Sequence, residues 1–222
     1  MHTYRPKDRA VTDGLLRFTL ALNDDGGMPF LDSQDLWLTA VAGLEFVHHP
    51  DLAPLTRRMA AFVASWQAPD GGWPFATGMH QTDVDTTTRC MEFLHVAPDR
   101  YDTVLANATS YHTAMAGVDG GFPTWVRGDA PDLDMTAGAI LALAPEREHH
   151  RGPLARAVDF VLAAQLPDGT FERSWTISES SAIQRVLDAL HAVPELAADH
   201  RAAAAVGRAI ARLVATQHPD GG

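Results

Sequence analysis

The sequence predicts an all-α protein, an α/α barrel in which inner and outer helices alternate. Two observations predict this fold. A short turn that begins Asp-Gly recurs at spacings of 45, 49, 49 and 52 residues. The segments between these turns carry apolar residues at helical spacing, and no convincing alternation of apolar and polar residues indicates a strand. Helical repeats of this length typically stack on one another and bury a continuous core.

Five turns define the repeat, and all begin with aspartate: Asp25, Asp70, Asp119, Asp168 and Asp220. An aromatic residue closely follows each of the first four: Phe30, Trp73, Phe122 and Phe171. A glutamine precedes three of the turns: Gln67, Gln165 and Gln217. Glycine lets the chain reverse out of a helix, and a glutamine amide can bond to free backbone groups at a helix end. We therefore interpret the turns as structural ties between neighbouring helical hairpins.

Nine helices are expected around these turns. The outer set covers residues 8–22, 52–67, 101–116, 152–165 and 199–217. The inner set covers residues 34–48, 84–96, 133–144 and 178–192. In the segment that ends at Gln165, Leu154, Val158, Val161 and Leu162 show the helical period, and Pro153 lies near its start.

A second series marks the starts of the inner helices. Asp35, Asp85 and Asp134 each stand nine residues before a leucine, and Ser181 takes the same place in the next repeat. Side-chain oxygens of Asp and Ser accept hydrogen bonds from the free N–H groups of a first helical turn. On the repeat alone, capping is therefore the direct interpretation of this series, Asp85 included.

Length and composition narrow the class of protein. The chain of 222 residues is expected to form a single domain, residues 1–222. A formal net charge of −11 argues against a nucleic-acid surface. The single cysteine, Cys90, excludes an internal disulfide and a four-thiolate zinc site. Because neither an apolar leader nor a long apolar segment is present, we expect a cytoplasmic location and no transmembrane segment.

Three motifs resemble those of the class II terpene cyclase and squalene–hopene cyclase-like family, which carries prenyltransferase and squalene oxidase repeats. Residues 67–73, Gln-Ala-Pro-Asp-Gly-Gly-Trp, resemble its glutamine–tryptophan motif. Residues 83–87, Asp-Val-Asp-Thr-Thr, resemble its acid motif in the Asp-x-Asp-Thr-Thr variant. Residues 168–178 resemble the late repeat of bacterial diterpene cyclases. The repeat resemblance covers nearly the whole chain and implies an α/α barrel like the β-domain of terpene cyclases.

The resemblance also implies an activity. Such enzymes protonate a linear isoprenoid or prenyl diphosphate and isomerise it to a cyclic product through a carbocation. Asp85 would be the general acid and Asp83 its partner, and the hydroxyls of Thr86 and Thr87 would orient the acid. Elementary chemistry agrees, because two carboxyls in one small site cannot both ionise cheaply and one retains a proton. Protonation needs no cofactor, and Mg²⁺ is expected only if the substrate is a diphosphate.

The substrate-binding residues are expected at the mouth of the barrel. The aromatic candidates lie near the starts of inner helices, where their faces could stabilise a cation: Trp37, Phe122, Trp125 and Trp175. Arg173, together with Arg89 and Arg127, could bind a diphosphate. No histidines stand at metal-ligand spacing, and no Asp-x-Cys pair suggests the zinc site of a protein prenyltransferase, so no protein metal site is expected.

The partners of the chain follow from the helix count. A closed barrel of this type has six hairpins and therefore twelve helices, and class II cyclases are usually at least twice this length. The sequence predicts nine helices and stops after Asp220-Gly221-Gly222. We expect that the natural chain continues, that a second copy or a complementing subunit closes the barrel, or that the barrel is open.

Three functions are compatible with these observations. The first is a small class II cyclase acting on a small-molecule isoprenoid. The second is a non-catalytic barrel that binds an isoprenoid or complements a partner enzyme. The third is another α/α-barrel enzyme, such as a prenyltransferase subunit or a carbohydrate-active protein. Two carboxylates only two residues apart are poorly placed for glycoside hydrolysis, which uses carboxylates facing each other across a groove.

Overall fold

The computed structural model describes residues 26–27, 34–175 and 178–221. We number its α-helices in chain order: α1 (Asp35–Phe46), α2 (Ala53–Ser65), α3 (Val84–Val96), α4 (Asp102–Met115), α5 (Leu133–Leu143), α6 (Arg151–Ala163), α7 (Glu179–Ala192) and α8 (His200–Thr216). Short 3₁₀ turns at Pro50–Leu52 and Ala144–Glu146 lead into α2 and follow α5. Within the described ranges, extended pairing is confined to two isolated bridges, Trp73 with Asp83 and Phe122 with Asp132.

The predicted helical architecture is confirmed. Helices α1, α3, α5 and α7 contact one another in succession and form the inner layer. Helices α2, α4, α6 and α8 lie outside them, each packed on an inner neighbour. Each of these eight helices begins and ends within two residues of its expected bounds. The ninth expected helix, residues 8–22, lies outside the described residues.

Helix α5 is the centre of the inner layer. All but two of its residues are buried, because α3 and α7 flank it and α6 covers it from outside. Its sequence, Leu-Asp-Met-Thr-Ala-Gly-Ala-Ile-Leu-Ala-Leu, is apolar on nearly every side, as expected for a helix enclosed by others. The last of the described helices, α8, buries only alanines: Ala202, Ala205 and Ala209.

The glutamines that precede two of the turns, Gln67 and Gln165, each tie two hairpins together. The Gln67 amide donates to the carbonyl of Gly71 in its own turn (2.9 Å) and to that of Val104 in α4 (2.8 Å). Gln165 repeats this arrangement with Gly169 (3.1 Å) and Ala205 (2.9 Å). These bonds satisfy carbonyls that a turn and a helix would otherwise leave free. The structural interpretation of the turns is thus confirmed for these two repeats.

Gly71 shows why the turn requires glycine. Its φ of +92° lies in the left-handed region, which residues with a Cβ rarely adopt. A Cβ placed there would also collide with the backbone carbonyl of Asn107 in α4. The turn therefore packs directly against the next outer helix.

The caps of the inner helices lie earlier than the sequence series suggested. Asp83 caps α3, Asp132 caps α5 and Ser178 caps α7, each accepting a backbone N–H of the first turn. Asp85 lies two residues beyond the α3 cap, and its carboxylate bonds to another helix instead. The capping interpretation of Asp85 is therefore wrong.

None of the helices in the described part of the chain combines the length and the apolarity that a membrane crossing requires.

Candidate active site

The start of α3 is fixed by the same bonds that hold the equivalent helix of the next repeat. The Asp83 amide donates to the Trp73 carbonyl (3.1 Å), and the Trp73 amide donates to the Thr87 hydroxyl (2.9 Å). In the next repeat, Asp132 and Thr136 bond to Phe122 in the same way. The repeat scaffold therefore sets the position of the acid motif.

The carboxyl of Asp83 is buried, and one of its two oxygens has no hydrogen-bond partner in the described structure. Its side chain is 2% exposed, and Oδ1 accepts the Thr86 backbone N–H at 2.6 Å. Oδ2 is buried and has no hydrogen-bond partner among the described residues. Burial raises the pKa of Asp83 to about 7, and the negative charge of Asp85 adds to this, while the Thr86 backbone bond acts against it. Asp83 is therefore able to hold a proton near neutral pH.

Asp85 is the more accessible carboxyl of the pair. Its side chain is 34% exposed. Oδ2 accepts a hydrogen bond of 2.7 Å from the indole nitrogen of Trp37 in α1. Oδ1 lies 3.8 Å from Nε of Arg89, one helical turn further along α3. The two oxygens of Asp85 therefore have different neighbours.

Both carboxyls face a cavity with an apolar wall, which we call the apolar cavity. Its volume is about 430 Å³. Its large apolar side chains come from several repeats: Trp37, Phe75, Trp125, Met135 and Trp175. Asp83, Asp85 and Thr86 lie on the same cavity, so the acid motif meets the aromatic side chains there.

The aromatic rings of this cavity contact one another edge to face. Trp125 stands between Phe75 and Trp175, with centroid separations of 6.2 and 6.1 Å and interplanar angles of 77° and 75°. The Trp175 indole nitrogen donates to the Thr124 hydroxyl at 3.1 Å, although 61% of this tryptophan is exposed. Such rings present electron-rich faces that attract a cation.

A second, more polar cavity of about 580 Å³ adjoins the first, and we call it the polar cavity. The two share Trp37, Asp85, Met135 and Trp175. The polar cavity adds charged side chains from three inner helices: Arg89, Asp134, Arg185 and Asp188. Asp85 therefore lies where an apolar and a charged compartment meet.

The two arginines of the polar cavity share one carboxylate, Glu92. Arg89 donates to it at 3.2 Å, and Arg185 donates through both terminal nitrogens at 3.1 and 3.3 Å. The Glu92 and Arg185 side chains are each 14% exposed. Burial, followed by the nearby Arg185, lowers the pKa of Arg89.

Several of the expected site residues lie away from the apolar cavity. Thr87 is fully buried, and its hydroxyl holds the Trp73 backbone, so it does not orient the acid as expected. Phe122 is 1% exposed and packs near the ring of His112, in the repeat position that Trp73 occupies earlier. Arg173 is exposed and is not among the described residues lining either cavity. Arg127 is exposed and lines a separate surface depression.

The site also contains residues that had not been expected, among them Phe75, Met135 and Arg185. Phe75 follows Trp73 by two residues, and this aromatic spacing was a usable signal. Met135 and Arg185 lie on α5 and α7, and their places in the sequence resemble ordinary helix positions. For metals, no group of three His, Cys, Asp or Glu side chains in the described ranges is arranged to hold an ion.

Comparison with known proteins finds two relatives of similar sequence. No protein-family model matches the chain. The drimenyl diphosphate synthase of Streptomyces showdoensis is 41% identical over 222 residues, which cover 99% of this chain and 42% of that protein. A drimenyl diphosphate synthase of Streptantibioticus cattleyicolor is 38% identical over 232 residues, covering 96% and 43%. The chain thus spans less than half the length of these relatives.

Comparison with solved structures identifies the fold. The type II terpene cyclase MstE from Scytonema superposes with a TM-score of 0.68 at 16% identity, over 96% of this chain and 79% of that one. A protein from Actinoplanes superposes with a TM-score of 0.64 at 18% identity, over 96% and 81%. The described residues therefore have the same fold as this type II terpene cyclase.

Proposed function

We propose that this chain carries the acid site of a class II terpene cyclase, which protonates a prenyl diphosphate and isomerises it to a cyclic product that keeps its diphosphate. The observation that carries this proposal is the position of the Asp85 carboxyl, at the edge of an aromatic cavity and beside a second, buried carboxyl. Two relatives named drimenyl diphosphate synthase support the choice of a diphosphate.

In this proposal Asp83 and Asp85 form the Asp-x-Asp-Thr-Thr acid motif. Asp85 is the donor, because its carboxyl is 34% exposed whereas Asp83 is 2% exposed. The Trp37 N–H already occupies Oδ2, so the transferable proton sits on Oδ1. The π electrons of the terminal alkene take this proton and Asp85 becomes a carboxylate. The final cation then loses a different proton. The product therefore has the same composition as the substrate and is its isomer.

The aromatic wall would stabilise the cation during ring closure. Trp37, Trp125 and Trp175, with Phe75, present rings to the apolar cavity and bring few groups that could quench a carbocation. Because Trp175 is 61% exposed, the wall is open on that side. We expect a further domain, a second copy or a complementing subunit to cover it when substrate binds.

The diphosphate would need cationic partners. Arg89 and Arg185 line the polar cavity, but Glu92 engages both, and Asp134 and Asp188 face the same space. This balance of charges favours Mg²⁺ arriving bound to the diphosphate, where the acidic side chains would contact the ion and not the phosphate oxygens. Arg173, exposed at the end of its turn, remains a candidate for the outer end of the diphosphate.

The proposal is tested by incubating the full-length protein with geranyl, farnesyl and geranylgeranyl diphosphates, their free alcohols and a geranylgeranylated phenol. The phenol is included because one structural neighbour was solved with geranylgeranyl dihydroxybenzoate as its substrate. We expect a cyclic diphosphate from the wild type and none from Asp85→Asn. Equal product from both proteins would contradict the assignment of the acid. Tight binding of a prenyl diphosphate without any product would favour the non-catalytic isoprenoid-binding alternative.

A further inference from the structure

We propose that Glu92 is a positioning residue that, anchored by Arg185, holds Arg89 just short of a hydrogen bond with the acid Asp85. This inference rests on the proposed function, because it assigns a role to the side chains around the proposed proton donor. Glu92 is not among the described residues that line either cavity, and it contacts Arg89 directly, so its effect on the acid would pass through Arg89.

The distances around Arg89 are unequal. Its Nη1 lies 3.2 Å from Glu92, within hydrogen-bond range. Its Nε lies 3.8 Å from Oδ1 of Asp85, too far for a hydrogen bond. This Nε is buried and has no hydrogen-bond partner among the described residues. Arg89 therefore points one unsatisfied donor at the acid while a stronger contact holds it back.

Glu92 is itself fixed from a distant helix. Arg185 belongs to α7 and Glu92 to α3, and α5 lies between these two helices. The guanidinium passes over α5 at Gly138, where an added Cβ would stand 3.1 Å from Nη2 of Arg185. Glycine inside a helix is destabilising relative to alanine, and the passage of Arg185 gives it a structural reason here.

The spacing matters because the acid has to be neutral before it reacts. A guanidinium in full contact with a carboxyl favours the carboxylate and removes the proton that catalysis needs. At 3.8 Å and without a hydrogen bond, the guanidinium favours the carboxylate less than it would in full contact, and it can close on the carboxylate after donation. Because Glu92 holds Arg89 by the shorter contact, Asp85 would keep its proton before the reaction. Arg89 could still approach the Asp85 carboxylate after the proton has been donated.

Other charged groups face the same acid. Asp83 precedes it as the cap of α3 and lines the apolar cavity with it, and Asp134 on α5 and Asp188 on α7 line the polar cavity with it. All three are carboxyl groups, so none of them brings a cation to Asp85. Arg89 and Arg185 are the cations lining that cavity in the described residues, and Arg89 is the one in range of Asp85. A change at Glu92 would therefore act on Asp85 by altering the position of Arg89.

The test is the substitution Glu92→Gln, which keeps the size and a carbonyl acceptor but removes the charge. Arg89 is then expected to close on Asp85 and favour its carboxylate. The falling limb of the pH–rate profile should move about one pH unit lower than in the wild type. At a pH above the falling limbs of both proteins, the variant should be roughly tenfold less active than the wild type. Adding Arg89→Gln should return the limb to the wild-type position or above it. Glu195→Gln, which removes an exposed ion pair with Arg147, is the matched control and should leave the profile unchanged.

A measurement that does not use catalysis separates this inference from the proposed function. The Asp85 carboxyl can be titrated by ¹³C NMR, with its signal assigned from the Asp85→Asn spectrum. A lower pKa for Asp85 in Glu92→Gln than in the wild type supports the inference even if no substrate is turned over. An unchanged Asp85 titration in a folded Glu92→Gln protein overturns it, whatever the fate of the cyclase assignment. If Glu92→Gln loses cyclisation while the Asp85 titration is unchanged, Glu92 has only a structural role.

Discussion

The indole nitrogen of Trp37 donates a 2.7 Å hydrogen bond to Oδ2 of Asp85 and thereby joins helix α1 to the start of helix α3. The bond fixes which oxygen of the carboxyl faces Arg89. It also stabilises the carboxylate that remains after proton donation, since a hydrogen bond to the charged form favours that form. One side chain thus orients the proposed acid and supports its conjugate base.

Replacing Trp37 with phenylalanine should remove that bond while keeping an aromatic ring in the apolar cavity. The variant's activity should fall about tenfold, and the falling limb of its pH–rate profile should move to higher pH. Steady-state rates measured from pH 5 to pH 9 test this. A limb that moves to lower pH, or a rate equal to that of the wild type, would show that the bond does not serve the acid.

Asp83 should make the stability of the protein depend on pH. Its folded-state pKa of about 7 lies above the ordinary value of 3.8, so the folded protein holds a proton that the unfolded chain releases. The stabilisation from this proton is fully present below pH 4 and is lost as pH rises through 7. Asp83→Asn keeps a helix-capping side chain and removes the titration.

The Asn variant should therefore lose less stability than the wild type between pH 5 and pH 8. At pH 8 its free energy of unfolding should be higher by on the order of 1 kcal/mol or more. Urea denaturation at the two pH values measures this difference. The buried His112, whose pKa is lowered to about 4 by burial, is present in both proteins and cancels. Identical pH dependence in both proteins would show that Asp83 is ionised throughout.

Trp125 should stabilise the reacting cation through its ring face. Trp125→Leu is expected to lower the cyclisation rate about 5- to 30-fold, equivalent to about 1–2 kcal/mol of cation–π interaction. The matched control is Trp66→Leu, because Trp66 is 39% exposed and lines neither cavity. Equal rates for the two variants would show that the Trp125 ring does not stabilise the cation.

The glutamine ties should contribute stability and not chemistry. Gln67→Leu removes the donors to the Gly71 and Val104 carbonyls, so we expect a loss of about 1–3 kcal/mol in the free energy of unfolding. Gln217→Leu is the matched control, since that exposed glutamine donates only to Gly221 in the described residues, and its loss should stay below about 0.5 kcal/mol. Thermal and urea denaturation compare the two. A similar loss in both would mean that the bond across to α4 adds nothing.

The fold could be predicted closely because the repeat marks both ends of each helix. Turns such as Asp70-Gly71-Gly72 end one helix, and the next begins at a capping Asp or Ser. The register of the caps was wrong by two residues at Asp85, because Asp83 and Asp85 are both suitable caps. Only backbone geometry, with Asp83 extended and accepting the Thr86 N–H, distinguishes them.

The cavity was only partly predictable. Trp37, Trp125 and Trp175 could be proposed because they lie near the starts of inner helices, and all three line the apolar cavity. Phe122 lies at a similar point but turns into the core, since its repeat position is that of Trp73. The contact of Arg185 with Glu92 joins residues 93 positions apart across a third helix, and no local pattern reports such a contact.

The central claim is that Asp85 starts the reaction by protonating the substrate. The most direct test is to run the reaction in D₂O with the prenyl diphosphate that the full-length protein accepts, and to analyse the product by mass spectrometry and NMR. The proton that starts the reaction exchanges with solvent, so we expect a cyclic product that retains its diphosphate and carries one deuterium, and no such product from Asp85→Asn. A cyclic product without deuterium, formed with release of inorganic diphosphate, would contradict the claim.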